Sequence, residues 1–458
     1  AASDVYKRQI ILLVSKKYLR EEKFMDKMAD VLGRAGAWCG QNKYLSAIKN
    51  AFQNFMPLTI AGAIGVLWCN VLVNDQTGLG LFFKPIMALD FLNPAFQAVN
   101  FCTISCITVG ITLGIAQEIG VWNMGAEKAG YIPGLVGLAA WLSVTNTSHM
   151  VEGAKEAFTG IAGNELGATG LFTGMIIGVL SVELFCFFEK QDALKIKMPE
   201  QVPPGVARAF EVLVPATITL IITACIGSAC YNLTGLYLND VIKNGIQGPL
   251  GAVGATIPGV MIIYLVIMLF WLVGIHGNNM LSAVKEALFT PLALENVEKF
   301  NKGEKPTNII NMYFLQMCGE FGGSGVTIGL VIAIMIFGKR EDNKAIATLS
   351  LVPGLFNINE TVTFGIPMVL NPILGIPFVV APLVTIIIGY VLTVIGFCPV
   401  ACLTVPWTTP PIVFGFLACG ANVMGAVTQA ILIVVSTVIY VPFLISYEKY
   451  QNKQAAEA

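Results

Sequence analysis

Two segments of this chain carry residue types that can do chemistry inside an otherwise hydrophobic sequence. The first, WLVGIHGNNMLSAVKEA (residues 271–287), sets His276 beside glycines and continues to Asn278 and Asn279. The second, PGLFNINETVTFGIPMVLNP (353–372), places Asn357, Asn359 and Glu360 among apolar residues and helix-breaking prolines. An imidazole and a carboxylate can move a proton, and carboxamides offer paired donors and acceptors suited to sugar hydroxyls. Trp271 and Trp407 can offer flat apolar faces to a pyranose ring. An ionisable group at membrane depth costs about 2.5–3.5 kcal/mol even on the lenient insertion scale, so its retention points to a functional site.

Each of these residues has a plainer alternative. Glu360 can cap a helix or pair with a lysine, and His276 can be an interhelical hydrogen bonder. Asn278 and Asn357 can simply satisfy backbone groups freed at a break. Trp407, in VPWTTPP, can be an interface anchor. His149, in NTSHMVEG, reads as a loop residue, and Glu320 before GGSG as a cap or hinge. Gly322, Gly323 and Gly325 read as a kink rather than a phosphate cradle. There is no GxxxxGK[ST] pattern, which argues against ATP hydrolysis by this chain.

The elements that must position these groups can be read from composition. Hydrophobic residues make up 55% of the 458 and charged residues only 12%, where a soluble domain carries about 25% charged residues. Mean hydropathy is +0.74 for a mass of 49.0 kDa. So little charge cannot coat a globule of this size in water, and the missing polar surface must face lipid. Spans of about 20 apolar residues each divide the length into about ten. No segment alternates with period two for long enough to suggest a barrel, so the fold class is an all-α polytopic membrane protein. Net charge is −1, which leaves no basic footprint and excludes nucleic acid as a partner. The 11 cysteines fall mostly inside apolar runs, for example Cys102, Cys106, Cys225, Cys230, Cys402 and Cys419. With no CxxC pair and no histidine cluster, neither a metal site nor a disulfide framework is expected, and no cofactor is.

Apolar runs fall at about 52–73, 97–119, 130–146, 169–188, 210–233, 256–276, 322–338, two within 350–397, and 423–447. Lys27, Arg34, Lys43 and Lys49 precede the first run and place the N-terminus in the cytoplasm. Residues 1–23 match the rest of the chain poorly and are expected to be a non-native segment. The stretch EKQDALKIKMPEQVPPGVARAF holds Lys190, Lys195, Lys197, Arg208 and three prolines. It predicts a cytoplasmic linker, 191–209, between an N-terminal membrane half, 24–190, and a C-terminal half, 210–458, that starts with a fifth helix. Strict alternation fails once: if 277–321 and 339–344 are both cytoplasmic, one span cannot join them. Part of 277–321 or of 350–420 must therefore enter the membrane and return, and such discontinuous segments mark transporter binding sites.

PGLFNINETVTFGIPMVLNPILGIPF resembles the signature of enzyme IIC, the membrane permease subunit of the bacterial phosphotransferase system, in its lactose and cellobiose/diacetylchitobiose branch. GIHGNNM, VPPGVARAFEVLVP, ELGATGLFTG and the opening FMDKMADVLGRAGAW…AIKNAFQNFMPLTIAG are similar to the same family. The resemblance runs from about residue 24 to the C-terminus. Thr361 departs from it, standing where the family often has proline.

The resemblance implies a homodimer in the bacterial plasma membrane, with about ten spans per subunit and cytoplasmic termini. The N-terminal half would supply the dimer interface, and the C-terminal half would hold the sugar between re-entrant hairpins. It implies a β-linked disaccharide, cellobiose or diacetylchitobiose ahead of lactose. A separate phosphorylated IIB protein, charged through IIA and the general phosphotransferase proteins, would pass phosphate from a cysteine to the sugar's 6-hydroxyl. Glu360 would orient that hydroxyl and accept its proton, and His276 would stabilise charge on the phosphoryl group. Asn278 and Asn357 would hydrogen-bond the sugar, with Trp271 or Trp407 stacked on it. The alternative is an ion-coupled secondary transporter, with Glu360 and His276 as a proton relay.

Overall fold

The computed structural model describes residues 30–38, 41–75, 79–149, 157–199, 201–249, 254–366, 368–369 and 371–457; the expected non-native segment 1–23 lies outside them. Regular structure among the described residues is helical, apart from one antiparallel pair of two-residue strands, β1 (Ser148–His149) and β2 (Phe158–Thr159). His149, expected in a loop, lies in β1.

The N-terminal helices form one bundle. α1 (Lys43–Leu67) starts where the Asn42 side chain accepts hydrogen bonds from the Tyr44 and Leu45 amides, both at 3.1 Å. A helical stretch, Lys84–Ser105, then bends by 41° into α2 (Ile107–Met124). That stretch lies so close to α1 that a Cβ on Gly62 would run into the Thr103 hydroxyl. Such close approach through small residues is how membrane helices gain packing energy without a hydrophobic drive between them. α3 (Ile132–Val144) and α4 (Ala168–Glu189) pack on α2.

α5 (Pro204–Thr234) packs on α3 and α4, so in space it lies with the N-terminal helices rather than with the half it was expected to open. It begins at Pro204, where a proline is tolerated because the missing N–H has no helical partner. The last residues of the expected linker 191–209 are therefore helical. The linker ends of the bundle are tied by charge: the Glu189 carboxylate, 1% exposed, sits 2.8 Å from Lys128 and 3.0 Å from Arg208. Burying one carboxylate is tolerable only because two cations surround it.

The C-terminal helices are more broken. α6 (Ile257–Leu272) leads through an irregular turn to α7 (Ser282–Asn301). α8 (Met312–Gly319) and α9 (Ile328–Phe337) are separated by the GGSG segment, and the stretch Met312–Val326 meets α9 at a bend of 59°. α10 (Glu341–Leu355) and the short α11 (Glu360–Gly365) flank the NINE motif. α12 (Gly375–Val394), α13 (Val413–Ala418) and α14 (Val423–Glu457) complete the chain, with α14 packed along α9, α12 and α13.

Among the described residues five helices are long and apolar enough to cross a membrane, or seven if each bent pair counts as one span, with α3 and α6 as shorter apolar helices. This is a mixed set of long, short and bent helices. The most apolar window of α5 has a mean hydropathy of 2.1 and is only 22% buried. Its apolar side chains face outward, as a bilayer requires. Within 277–321, α7 runs for 20 residues between α1 and α4 on one side and α8 on the other. Lys285, buried, and Glu286 lie in this seam.

The break between α8 and α9 uses glycine where other residues would be strained. Gly322, Gly323 and Gly325 have φ of +69°, +89° and +77°. A Cβ at Gly323 would also lie 2.6 Å from the Asn359 Cβ. Gly323→Ala is expected to destabilise the fold by about 1–3 kcal/mol from backbone strain alone. Thermal unfolding of the purified protein checks this, and an unchanged midpoint would contradict the close approach of these two segments.

Candidate functional site

The two sequence segments meet at one cavity. Beyond α6, Gly274 takes φ of +81° and the chain turns back on itself. A Cβ on Gly277 would collide with the Ile267 carbonyl of α6, so only glycine lets the turn lie this close to the helix. His276 caps the next helical turn: its Nδ1 accepts a hydrogen bond from the Asn279 amide at 3.2 Å. That bond assigns the neutral ring's proton to Nε2. Nε2 faces Glu360 Oε1 at 3.8 Å. Glu360 is the first residue of α11, and the two side chains are 37% and 47% exposed. The gap is longer than a hydrogen bond, so both groups are free to engage a hydroxyl.

The cavity they face has a volume of about 720 Å³, within the usual range of about 300–1,000 Å³ for small-molecule sites. Its wall includes His276, Asn278, Asn357, Glu360 and Trp407, five of the six residues expected at the site. The sixth, Trp271, is elsewhere. Its side chain is 2% exposed and packs beneath His276, with ring centroids 4.4 Å apart. In this structure it supports the imidazole and presents no face to the cavity. Trp407 is 45% exposed and keeps its ring available.

The carboxamides divide between two tasks. Asn357, at φ of +62°, ties its own turn to two other chain segments. Its Oδ1 accepts from the Gly322 amide at 2.6 Å, and its Nδ2 donates to the carbonyls of Trp407 and of Thr409, the latter at 3.1 Å. Both of its N–H donors are thereby used on backbone, which is the plainer of the two roles open to it in sequence. Asn359, 4% exposed, donates to the Ser324 carbonyl at 2.9 Å and to Thr363 Oγ1 at 3.1 Å. Asn278 donates to Ser324 Oγ at 2.9 Å and accepts from Lys285 at 3.0 Å.

Several wall residues were not singled out from sequence. Lys285, Glu286, Tyr313, Gln316 and Thr404 line the cavity from α7, α8 and the segment before Trp407, and α1 adds Lys49 and Gln53. Lys285 and Glu286 stand in the same quoted segment as His276, and two adjacent charges in an apolar run were the available signal. Gln316 is a single carboxamide in MYFLQMCG and gave none. Glu320, expected as a cap or hinge, is instead paired with Lys285 and accepts a hydrogen bond from the Tyr264 hydroxyl at 2.8 Å.

The clasp can be tested directly. In Asn357→Asp the Gly322 amide keeps an acceptor, but the two carbonyls lose their donors and face a carboxylate. Stability is expected to fall by about 0.5–1.5 kcal/mol, the net worth of a typical hydrogen bond, because the carbonyls that lose their donors are only partly buried. A thermal midpoint equal to wild type would show that these bonds do not hold the site.

Comparison with known proteins places this chain in a family. The model of the family described as Phosphotransferase system, EIIC matches residues 49–382. The chain is 33% identical over 433 residues to the PTS system oligo-beta-mannoside-specific EIIC component of Bacillus subtilis (strain 168), covering 93% of this chain and 94% of that protein. It is 29% identical to the PTS system cellobiose-specific EIIC component of Lactococcus lactis subsp. lactis (strain IL1403), covering 93% and 98%. The crystal structure of the transporter ChbC, the IIC component from the N,N'-diacetylchitobiose-specific phosphotransferase system, matches with a TM-score of 0.83 at 30% identity, over 92% of this chain and 97% of that one. The chain therefore belongs to the EIIC family of the phosphotransferase system, the integral membrane permeases that act with sugar substrates and IIB partners.

Proposed function

We propose that this permease takes up a β-linked disaccharide, with cellobiose or diacetylchitobiose ahead of lactose, and presents its 6-hydroxyl for phosphorylation by a separate IIB protein. The observation that carries the reading is the facing pair of His276 Nε2 and Glu360 Oε1, 3.8 Å apart in the wall of a cavity of about 720 Å³. A hydroxyl oxygen seated beside this pair can accept from the imidazole N–H while its own proton points at the carboxylate. The relatives named for cellobiose and oligo-β-mannosides support the β-linked class.

In the proposed transfer the sugar O6 attacks the phosphorus of a phosphocysteine on IIB. The P–O bond forms as the P–S bond breaks, the cysteine leaves as a thiolate, and the hydroxyl proton passes to Glu360. Phosphoryl transfer of this kind depends mainly on positioning and electrostatics, so two well-placed groups go far. As the sugar oxygen bonds to phosphorus, His276 Nε2–H passes from that oxygen to the adjoining phosphoryl oxygens and stabilises their charge. Asn278 hydrogen-bonds the sugar near the reacting end, and Trp407 stacks on a pyranose face. Asn357 acts chiefly through its clasp, by holding the Trp407 segment against the NINE turn. The permease works as a homodimer, with the N-terminal bundle supplying the interface.

Glu360→Gln separates the roles. The variant keeps the size and hydrogen bonding of the side chain but not its basicity. Sugar phosphorylation by phosphorylated IIB is expected to fall by about 10²–10⁴-fold, the usual worth of a general base. Cellobiose binding, measured by calorimetry, is expected to stay close to wild type. Equal loss of both would make Glu360 a binding residue and remove the base from the mechanism.

A further inference from the structure

The cavity wall contains an ion pair turned toward the protein. Lys285 on α7 and Glu320 after α8 are paired with side-chain exposures of 7% and 18%. Their surroundings are well satisfied: the Tyr264 hydroxyl donates to Glu320 Oε1 at 2.8 Å, and Lys285 Nζ donates to Asn278 Oδ1 at 3.0 Å. From Asn278 the chain of bonds continues. Asn278 Nδ2 donates to Ser324 Oγ at 2.9 Å, and the Ser324 carbonyl accepts from Asn359 Nδ2 at 2.9 Å. Asn278 lies two residues beyond His276, and Asn359 immediately precedes Glu360. Hydrogen bonds therefore link the ion pair to Asn278 and, across Ser324 in the broken tip between α8 and α9, to Asn359, so they reach the chain segments that carry His276 and Glu360.

A buried pair of this kind is not an economical way to hold helices together. Desolvation of the two charges offsets most of their attraction, and well-packed apolar side chains often serve as well or better. What apolar residues would not supply is a charged donor for the Asn278 oxygen. A charge-assisted bond is about twice as strong as a neutral one and fixes the carboxamide plane. With Oδ1 held by the ammonium and Nδ2 by Ser324, Asn278 cannot flip or turn away from the wall.

Resting on the sugar-permease reading, we propose that Lys285 and Glu320 are positioning residues of the sugar site. Lys285 orients Asn278, and through it sets the His276 turn against Glu360; Glu320 holds Lys285 in place and keeps its charge compensated. Neither touches the reacting atoms.

The test compares Lys285→Met, Glu320→Gln and the double variant K285M/E320Q with wild type, in the full-length protein purified in detergent. Thermal unfolding and cellobiose binding are measured on each. Each single variant leaves one charge uncompensated and is expected to unfold at a lower temperature. The double variant removes both charges and is expected to regain most of the wild-type midpoint, yet to bind cellobiose about tenfold more weakly or worse, the worth of a lost hydrogen bond to a charged group. A double variant with wild-type affinity would overturn the positioning role and leave the sugar reading intact, because wild-type binding carries that reading separately. Asn278→Leu keeps the ion pair and gives an independent check should the double variant not fold. It is expected to weaken binding to a similar degree, and wild-type affinity in Asn278→Leu would equally overturn the proposal.

Discussion

Peptide groups that leave a helix inside an apolar molecule must find hydrogen-bond partners within the protein, and the whole C-terminal half is arranged around that requirement. Side-chain carboxamides supply much of the answer. Asn357 serves Gly322, Trp407 and Thr409, while Asn359 serves Ser324. Asn296 and Asn311, both fully buried, donate to the Ala401 carbonyl at 3.0 Å from two different elements. Gln429 on α14 accepts from the Ile412 and Gly415 amides and donates to the Met317 carbonyl. Its bond at Ile412 steadies a β-branched residue at φ of +75°, a strained conformation. Each carboxamide ties together segments distant in sequence, so the helix breaks become fixed points rather than loose ends.

Those fixed points are what the cavity is built from. The GGSG break lies against the NINE turn, and the segment carrying Thr404 and Trp407 lies against both. The turn after α6 brings His276 to the same place. A continuous helix could not present Glu360, Asn278 and Trp407 to one space, because its side chains diverge around an axis. Breaking the helices costs backbone hydrogen bonds; the carboxamides restore them, and the site occupies the ground in between. α7 then closes the cavity toward α1, so its wall is drawn from both bundles.

The sequence was most legible where a residue's type alone carries the argument. His276 and Glu360 are costly in an apolar setting, and that cost identified them. The GGSG kink was visible because three glycines in four residues have few other uses. The failure of strict alternation of spans pointed to a broken segment in the C-terminal half, and the bent α8–α9 pair is one such break. Legibility ended where a role depends on a distant partner. Nothing near Trp271 says that it is buried beneath His276, since the same tryptophan at a helix end suits a stacking platform equally well. Asn357 acts through Gly322 and Trp407, 35 and 50 residues away. Lys285 and Glu320 stand 35 residues apart, and nothing in the sequence marks them as partners until folding makes them a pair. The placement of α5 with the first bundle is a matter of packing among helices of similar composition, and its apolar run carries no mark of which neighbours it takes.

The most direct measurement is uptake of radiolabelled cellobiose by cells expressing this chain with and without a matching IIA and IIB pair, with the intracellular label separated into free and phosphorylated sugar. The account predicts that sugar phosphate accumulates only when the partners are present. Accumulation of free sugar without them, collapsing with the proton gradient, would contradict it and make His276 and Glu360 a proton relay instead.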